Sequence, residues 1–308
     1  MAKQLQNKIA GSKLALPVML GYATIVWLLS EMRGGQWRIQ ATCFVVSVLL
    51  MVLLNNVHAL IRIYSRMVSC SFIALSCCAC FLFPSMYGAF LQPFFIGGVL
   101  LLFLAYQDKE SAGHTYYAFV CFGIATMTWP PLLYAIPLLW LLMALELLCL
   151  SWRTWGASLL GLLTPYWFLG FWLLYTENAQ PIADFAERLT DIQLPFALHL
   201  LTGIQTLVFA YVVMLTIVGI VHYIRKRHDD KIRIRQLFGF LIWFDLALIL
   251  FLVVQPQHYD ALLRLIIVCT APLLGHFVAL TKTRMTNVTF CCLVSITLII
   301  TAYSIWTL

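Results

Sequence analysis

The sequence predicts an all-α bundle of about eleven transmembrane helices with a cytoplasmic N-terminus, and three observations carry that expectation. Hydrophobic residues make up 63% of the 308 positions and charged residues 10%, against about 25% charged in soluble domains. With a mean hydropathy of +0.93, the chain carries more apolar surface than a soluble core of this size could bury. Long uncharged runs alternate with short charged knots. Sorted by alternate connectors, the 19 Lys and Arg divide 15 against 4, as membrane insertion with basic loops retained inside would leave them.

A helix needs about 20 apolar residues to cross the hydrocarbon, and about 17 at the short end. Residues 14–30 and 39–60 meet that length. The first follows Lys3, Lys8 and Lys13 as a signal peptide would, but lacks a small-x-small cleavage site and reads as a retained span. From Met67 to Gln107 no residue is charged, which is too long for one helix. The turn-like Pro84-Ser85-Met86-Tyr87-Gly88 and Gln92-Pro93 divide that run into 67–83 and 90–106. Trp129-Pro130-Pro131 divides the next into 114–128 and 132–150, because adjacent prolines remove two donors and push the preceding residue out of helical conformation. If either segment, around Pro84 or around Trp129, failed to cross, every later connector would change side. Residues 154–175, 195–224, 236–254, 262–280 and 286–307 complete the count.

On that plan residues 1–308 form one integral membrane domain, with a cytoplasmic segment 1–13, an outer loop 176–194 and a basic cytoplasmic loop 225–235. The inner connectors hold Lys3, Lys8, Lys13, Arg62, Arg66, Lys109, Arg153, six cations between 225 and 235, Lys282 and Arg284. The outer ones hold Arg33, Arg38, Arg188 and Arg264. The net charge of +7 is thus a topology signal rather than a nucleic-acid footprint. Arg225, Lys226, Arg227, Lys231, Arg233 and Arg235 suit anionic lipid headgroups, with a nucleotide or protein partner as the alternative.

Within the outer loop, Phe185, Leu189 and Ile192 recur at helical spacing beside Asp184, Glu187 and Asp191. The segment reads as a solvated connector with one surface turn; the alternative is an interfacial helix with its apolar stripe toward the lipid. A third connector places His258, Tyr259 and Asp260 in sequence on the outer side.

Charge inside a bilayer is costly and calls for a reason. Asp245 lies mid-span and reads as a hydrogen-bonded structural acid, with a proton relay or substrate contact as the alternative. Glu146 lies near enough to the inner surface to snorkel or to pair with Arg153. The ten cysteines all fall in the expected spans and read as packing residues, since Cys77-Cys78-x-Cys80 has neither zinc-site spacing nor a nearby His. No Walker A, GxGxxG, GxSxG or HExxH pattern occurs, so no cofactor or metal is expected. Gly97-Gly98 and Gly156-x4-Gly161 read as glycines at helix contacts.

The order of features from Asn55-Asn56 through Arg62 and Arg66, Phe83-Pro84, Asp108-Lys109-Glu110, Phe122-Gly123-Ile124-Ala125, Trp129-Pro130-Pro131 and Trp152-Arg153 to Gly161 and Pro165 resembles an uncharacterised family of bacterial multi-pass inner-membrane proteins. More distantly, the same stretch is similar to the middle of C-type glycosyltransferases, which use lipid-phosphate-linked sugars. That likeness implies an outward acid just after the first span, where Glu31 stands. Those enzymes carry a long first outer loop, whereas here Glu31 to Arg38 spans eight residues. The expectation is a bacterial inner-membrane protein with an accessory or structural role in the envelope. One alternative is a C-type transferase or degenerate relative, with Glu31, Asp184, His258 and Asp260 as its polar cluster. The other is a proton-coupled carrier using Asp245.

Overall fold

The computed structural model describes residues 5–30, 37–176, 180–191, 196, 200–281 and 283–307, and among these it contains helices and turns but no strand. In chain order the helices are α1 (Leu5–Ala10), α2 (Ala15–Leu29), α3 (Trp37–His58), α4 (Met67–Cys78), α5 (Met86–Leu102), α6 (Ala112–Thr128), α7 (Ile136–Leu145), α8 (Trp152–Thr176), α9 (Gln180–Thr190), α10 (Gly203–Lys226), α11 (Ile232–Val254), α12 (Tyr259–Leu280) and α13 (Arg284–Trp306). Among the described residues, seven helices are long and apolar enough to cross a membrane once their flanking turns are included: Trp37–His58, Met86–Ala105, Trp152–Thr176, Gly203–Asp229, Ile232–Val254, Pro256–Leu280 and Arg284–Trp306. Ala15–Leu29, Met67–Cys78 and Pro130–Leu145 are shorter apolar helices. Each of the eleven apolar runs of the sequence therefore contains one helix, counting α6.

The proline breaks act differently at the two doubtful places. At Trp129 the backbone turns extended (φ −137°, ψ 94°), and a 3-10 turn over Pro130–Ala135 leads into α7, as the missing donors require. At Pro84 the chain breaks after a 3-10 turn, and Ser85 caps α5 by accepting from the Gly88 N–H at 3.2 Å. The expected second break, Gln92-Pro93, is absent. Pro93 lies inside α5, where neighbouring helices support a helix that has lost one internal bond.

α12 is the axis of the bundle, with α4, α5, α10 and α11 packed on it. α6 packs on α5 and carries α8 on its far side; α2 and α13 flank α4. Two of the four expected contact glycines act as such. A Cβ on Gly98 would meet the Phe122 ring, and one on Gly161 would meet the Tyr116 carbonyl, so α5–α6 and α6–α8 approach closely only because those side chains are missing. Gly156 faces open space, and Gly97 has only the Cys121 sulfur at ordinary contact distance.

The connectors fall into two groups, each held together by its own contacts. At one end Arg62 pairs with Asp229 at 3.6 Å, Ser151 donates to the Lys109 carbonyl at 2.7 Å, Arg153 pairs with Glu110 at 3.3 Å, and Gln6 donates to the Val278 carbonyl at 2.8 Å. At the other, Gln40 donates to the Pro84 carbonyl at 2.6 Å, Arg188 to the Tyr87 hydroxyl at 3.1 Å, and Tyr134 to the Leu189 carbonyl at 2.7 Å. Trp129 packs on His258. No contact among these joins a connector of the cation-rich set to one of the other set.

The segment after α8 departs from the expected single turn: α9 is an 11-residue helix. A Gln180–Asp184 hydrogen bond of 3.2 Å one turn apart and the edge of Phe185 on the Tyr166 ring hold it. Ile192, Glu31, Glu177, Arg33, Lys3 and Lys282 lie outside the described residues.

Candidate functional site at the cation-rich end

The loop between α10 and α11 is built by one tight turn. α10 runs into a 3-10 turn at Arg227–Asp229, the Asp230 N–H donates to the Arg227 carbonyl at 3.2 Å, and α11 starts at Ile232. Because the turn is short, the six cations cannot share one face. Arg225 and Lys231 are exposed, and Lys226 reaches Asp229 at 4.0 Å. Arg233 lies over the Tyr106 ring and donates to His58 Nδ1 at 3.2 Å. Since Arg can only donate, His58 Nδ1 accepts and its Nε2–H donates to the Leu100 carbonyl at 3.0 Å, which fixes a neutral tautomer. Arg227 and Arg235 line a cavity.

Asp230 turns inward. Its carboxylate is buried, accepts from His276 Nε2 at 2.9 Å, and lies 4.0 Å from Arg62. His276 is fully buried on α12 beside Tyr223 and Phe238. This pair was not legible in the sequence, where Asp230 sits in a charged loop and His276 in an apolar run 46 residues away.

The cavity, of about 600 Å³, lies between the ends of α10 and α11 and the corner after α7; Tyr223, Arg227, Arg235, Glu146, Gln236 and Trp243 are among its walls. Tyr223 stacks on Phe238 with ring centres 4.8 Å apart, and its hydroxyl donates to the Arg235 carbonyl at 3.2 Å. The corner holding Glu146 takes its shape from the backbone. Gln107 and Leu148 both adopt left-handed conformations (φ 58° and 53°), and the Gln107 N–H donates to the Leu147 carbonyl at 2.8 Å. Glu146 does not pair with Arg153, which is taken by Glu110. Its carboxylate instead accepts from Trp243 and lies against Gly239, where a Cβ would collide with it. Among the described residues neither Arg227 nor Arg235 is in an ion pair, and the buried Arg235 Nε has no partner. Two unpaired guanidinium groups beside one carboxylate suit a ligand with an oxyanion and a second polar group.

Asp245 lies elsewhere, fully buried between α10, α11 and α12. Its Oδ2 accepts from the Thr270 hydroxyl at 2.9 Å, and Thr270 and Thr216 are 2.8 Å apart. Its Oδ1 has no partner.

At the opposite end the candidates are separately engaged. Asp260 accepts from Arg264 Nε at 3.1 Å, and Arg264 also donates to the Leu82 carbonyl. His258 lies between Trp129 and Phe251, the Tyr259 hydroxyl donates to the Gln205 carbonyl at 2.7 Å, and Asp184 is exposed beside Gln180. None of Asp245, Asp184, His258 and Asp260 lines the cavity. No family model matches the chain, and comparison with curated proteins and with solved structures finds no match to either.

Proposed function

We infer that the chain is an accessory protein of a bacterial inner membrane that crosses it eleven times. On this reading the N-terminus and the cation-rich connectors lie in the cytoplasm, and the protein holds the headgroup of an anionic amphiphile at its cytoplasmic end. The separation of connectors into two non-mixing sets supports the odd number of crossings. Orientation rests on the positive-inside bias.

The observation that carries the functional reading is the pair Arg227 and Arg235, both on the cavity and neither paired with an acid among the described residues. An oxyanion there would gain charge-assisted bonds at the edge of the hydrocarbon, where screening is weaker than in bulk water. Ile224, Ile232 and Trp243, exposed on the same walls, leave room for an apolar tail on the bilayer side. This favours binding over chemistry, because Asp184 and Asp260, two of the acids named for a transferase, have separate partners in Gln180 and Arg264. A carrier would have to reach Asp245, which the cavity does not touch.

The test uses the full chain in nanodiscs of phosphatidylethanolamine containing a small fraction of phosphatidylglycerol. Native mass spectrometry of the released protein should show retained phosphatidylglycerol, and Arg227→Ala with Arg235→Ala should weaken the retention of one such lipid per chain by about tenfold, as loss of about 1.4 kcal/mol would. Equal retention in the double variant sinks the reading.

A further inference from the structure

A second cavity, of about 520 Å³, lies on the other side of the bundle between α2, α4, α10, α12 and α13. Its rim is formed by Ile9, Ser12 and Leu14, and its far end by Tyr22, Tyr211 and Thr297. The rim belongs to the cation-rich end, because Gln6 on α1 donates to the Val278 carbonyl at 2.8 Å and its N–H to Asn287 at 3.1 Å. Between rim and far end the walls are almost wholly apolar, with Val18, Met19, Ala74 and Leu293 among them.

Two measures of length agree. Leu14 to Tyr22 on α2 and Phe290 to Leu298 on α13 each advance eight residues, or about 12 Å of helix. Half the hydrocarbon of a bilayer is about 15 Å, so the cavity is about as deep as one leaflet. The far end is closed by hydroxyls with partners of their own: Tyr22 donates to Thr301 at 2.7 Å, and Tyr211 lies 2.8 Å from the Thr297 hydroxyl.

The charge at the mouth is one-sided. Lys8, Lys13 and Arg284 are exposed at this end of α1, α2 and α13, and no Asp or Glu occurs before residue 31 or after residue 260. A free headgroup would find nothing to bond inside the cavity; an acyl chain would fill it, with its anionic headgroup left among the cations.

We propose that the slot between α2 and α13 holds one acyl chain of an anionic phospholipid from the leaflet on the cation-rich side, as a resident lipid distinct from any ligand of the Arg227–Arg235 cavity. The lipid replaces side-chain packing between α2 and the rest of the bundle, where α2 itself buries only Ala23 and Val26.

The experiment uses the full chain in nanodiscs of phosphatidylethanolamine doped with phosphatidylglycerol carrying a diazirine at the end of one acyl chain. After irradiation, adducts should concentrate at Tyr22, Tyr211 and Thr297. Ala74→Trp, filling the slot from α4, and Val18→Trp, filling it from α2, should each reduce those adducts about tenfold and leave adducts on the outward Leu250 unchanged. Val18 is 67% exposed, so that variant keeps its fold even if Ala74→Trp does not. With Lys8→Glu and Lys13→Glu together, labelling from the phosphatidylglycerol probe should fall while that from a phosphatidylethanolamine probe persists. Labelling at the three far-end residues no higher than at Leu250, or unchanged by Val18→Trp, overturns the proposal; so does labelling by the phosphatidylglycerol probe that is indifferent to the lysine changes, which would leave the slot open to any lipid tail.

Discussion

α12 and α8 are both long and apolar enough to cross a membrane, yet they occupy opposite environments. Every residue of α12 from Ala261 to Leu280 is buried, whereas α8 buries five of its 25. Their sequences differ in kind rather than in apolarity. α12 carries Arg264, Thr270, Gly275 and His276; α8 displays Trp167, Phe168, Phe171 and Trp172 outward. Lipid is as apolar as a leucine side chain, so burying large apolar groups gains little. Polar groups gain by leaving the hydrocarbon, and small ones by letting backbones meet. Apolar length thus selects membrane-compatible helices, and buried ionisable groups such as Arg264 and His276 mark the one at the centre.

The sharpest way to break this contrast is to give α12 a bulk that α8 tolerates. A Cβ on Gly275 would stand 2.8 Å from the Val68 backbone nitrogen, and backbone cannot move aside as a flexible side chain can. Gly275→Leu should therefore cost about 3 kcal/mol or more, read as a large loss of detergent-resistant folded protein on heating. A normal melting curve would mean that α4 and α12 are not locked together there.

A smaller effect is expected from removing one polar partner. Asp230→Ala leaves His276 without an acceptor in a fully buried place, while Arg62 keeps Asp229, at a cost of about 2 kcal/mol. Chemical denaturation should register it, while Asp229→Ala, on an exposed partner of Arg62, should scarcely register. Equal effects would show that the burial of Asp230 carries no weight. The smallest effect belongs to α8: Trp172→Leu exchanges one outward-facing apolar group for another and should alter stability by no more than about 0.5 kcal/mol. A larger loss would mean that this face is covered by another protein rather than by lipid.

Much of the architecture was legible from uncharged length. All eleven runs contain a helix, and the Trp129-Pro130-Pro131 break stands where two missing donors demand one. Pro93 was misread because one proline removes only one bond, which packing can absorb. The extra helix α9 was visible as a periodic stripe, but whether so short and charged a segment holds helical shape depends on what it touches, here Tyr166 and Tyr87.

The site was less legible. The cations of the 225–235 loop were evident as a group, but nothing in their spacing separates Arg233, turned onto Tyr106, from Arg235, turned into the cavity. Asp245 stood out as an acid at mid-span, but its partner Thr270, and Thr216 bonded to Thr270 in turn, lie 25 residues after it and 29 before it, beyond the reach of local pattern. Glu146 read as an acid that snorkels or pairs with Arg153, seven positions on; beyond the left-handed turn at Leu148, Arg153 pairs with Glu110, and Glu146 lies against Gly239.

The sequence by itself determined that this chain is helical and compatible with a membrane, and it marked which connectors belong together. Backbone donors without water must be satisfied within each helix, and apolar length with sparse charge records that demand residue by residue. Tertiary structure alone decided that α12 is central, that Asp230 reaches His276, and that Arg227, Arg235 and Glu146 border one cavity. Those outcomes depend on close approaches between segments far apart in the chain, set by single missing side chains and single hydrogen bonds that leave no periodic trace.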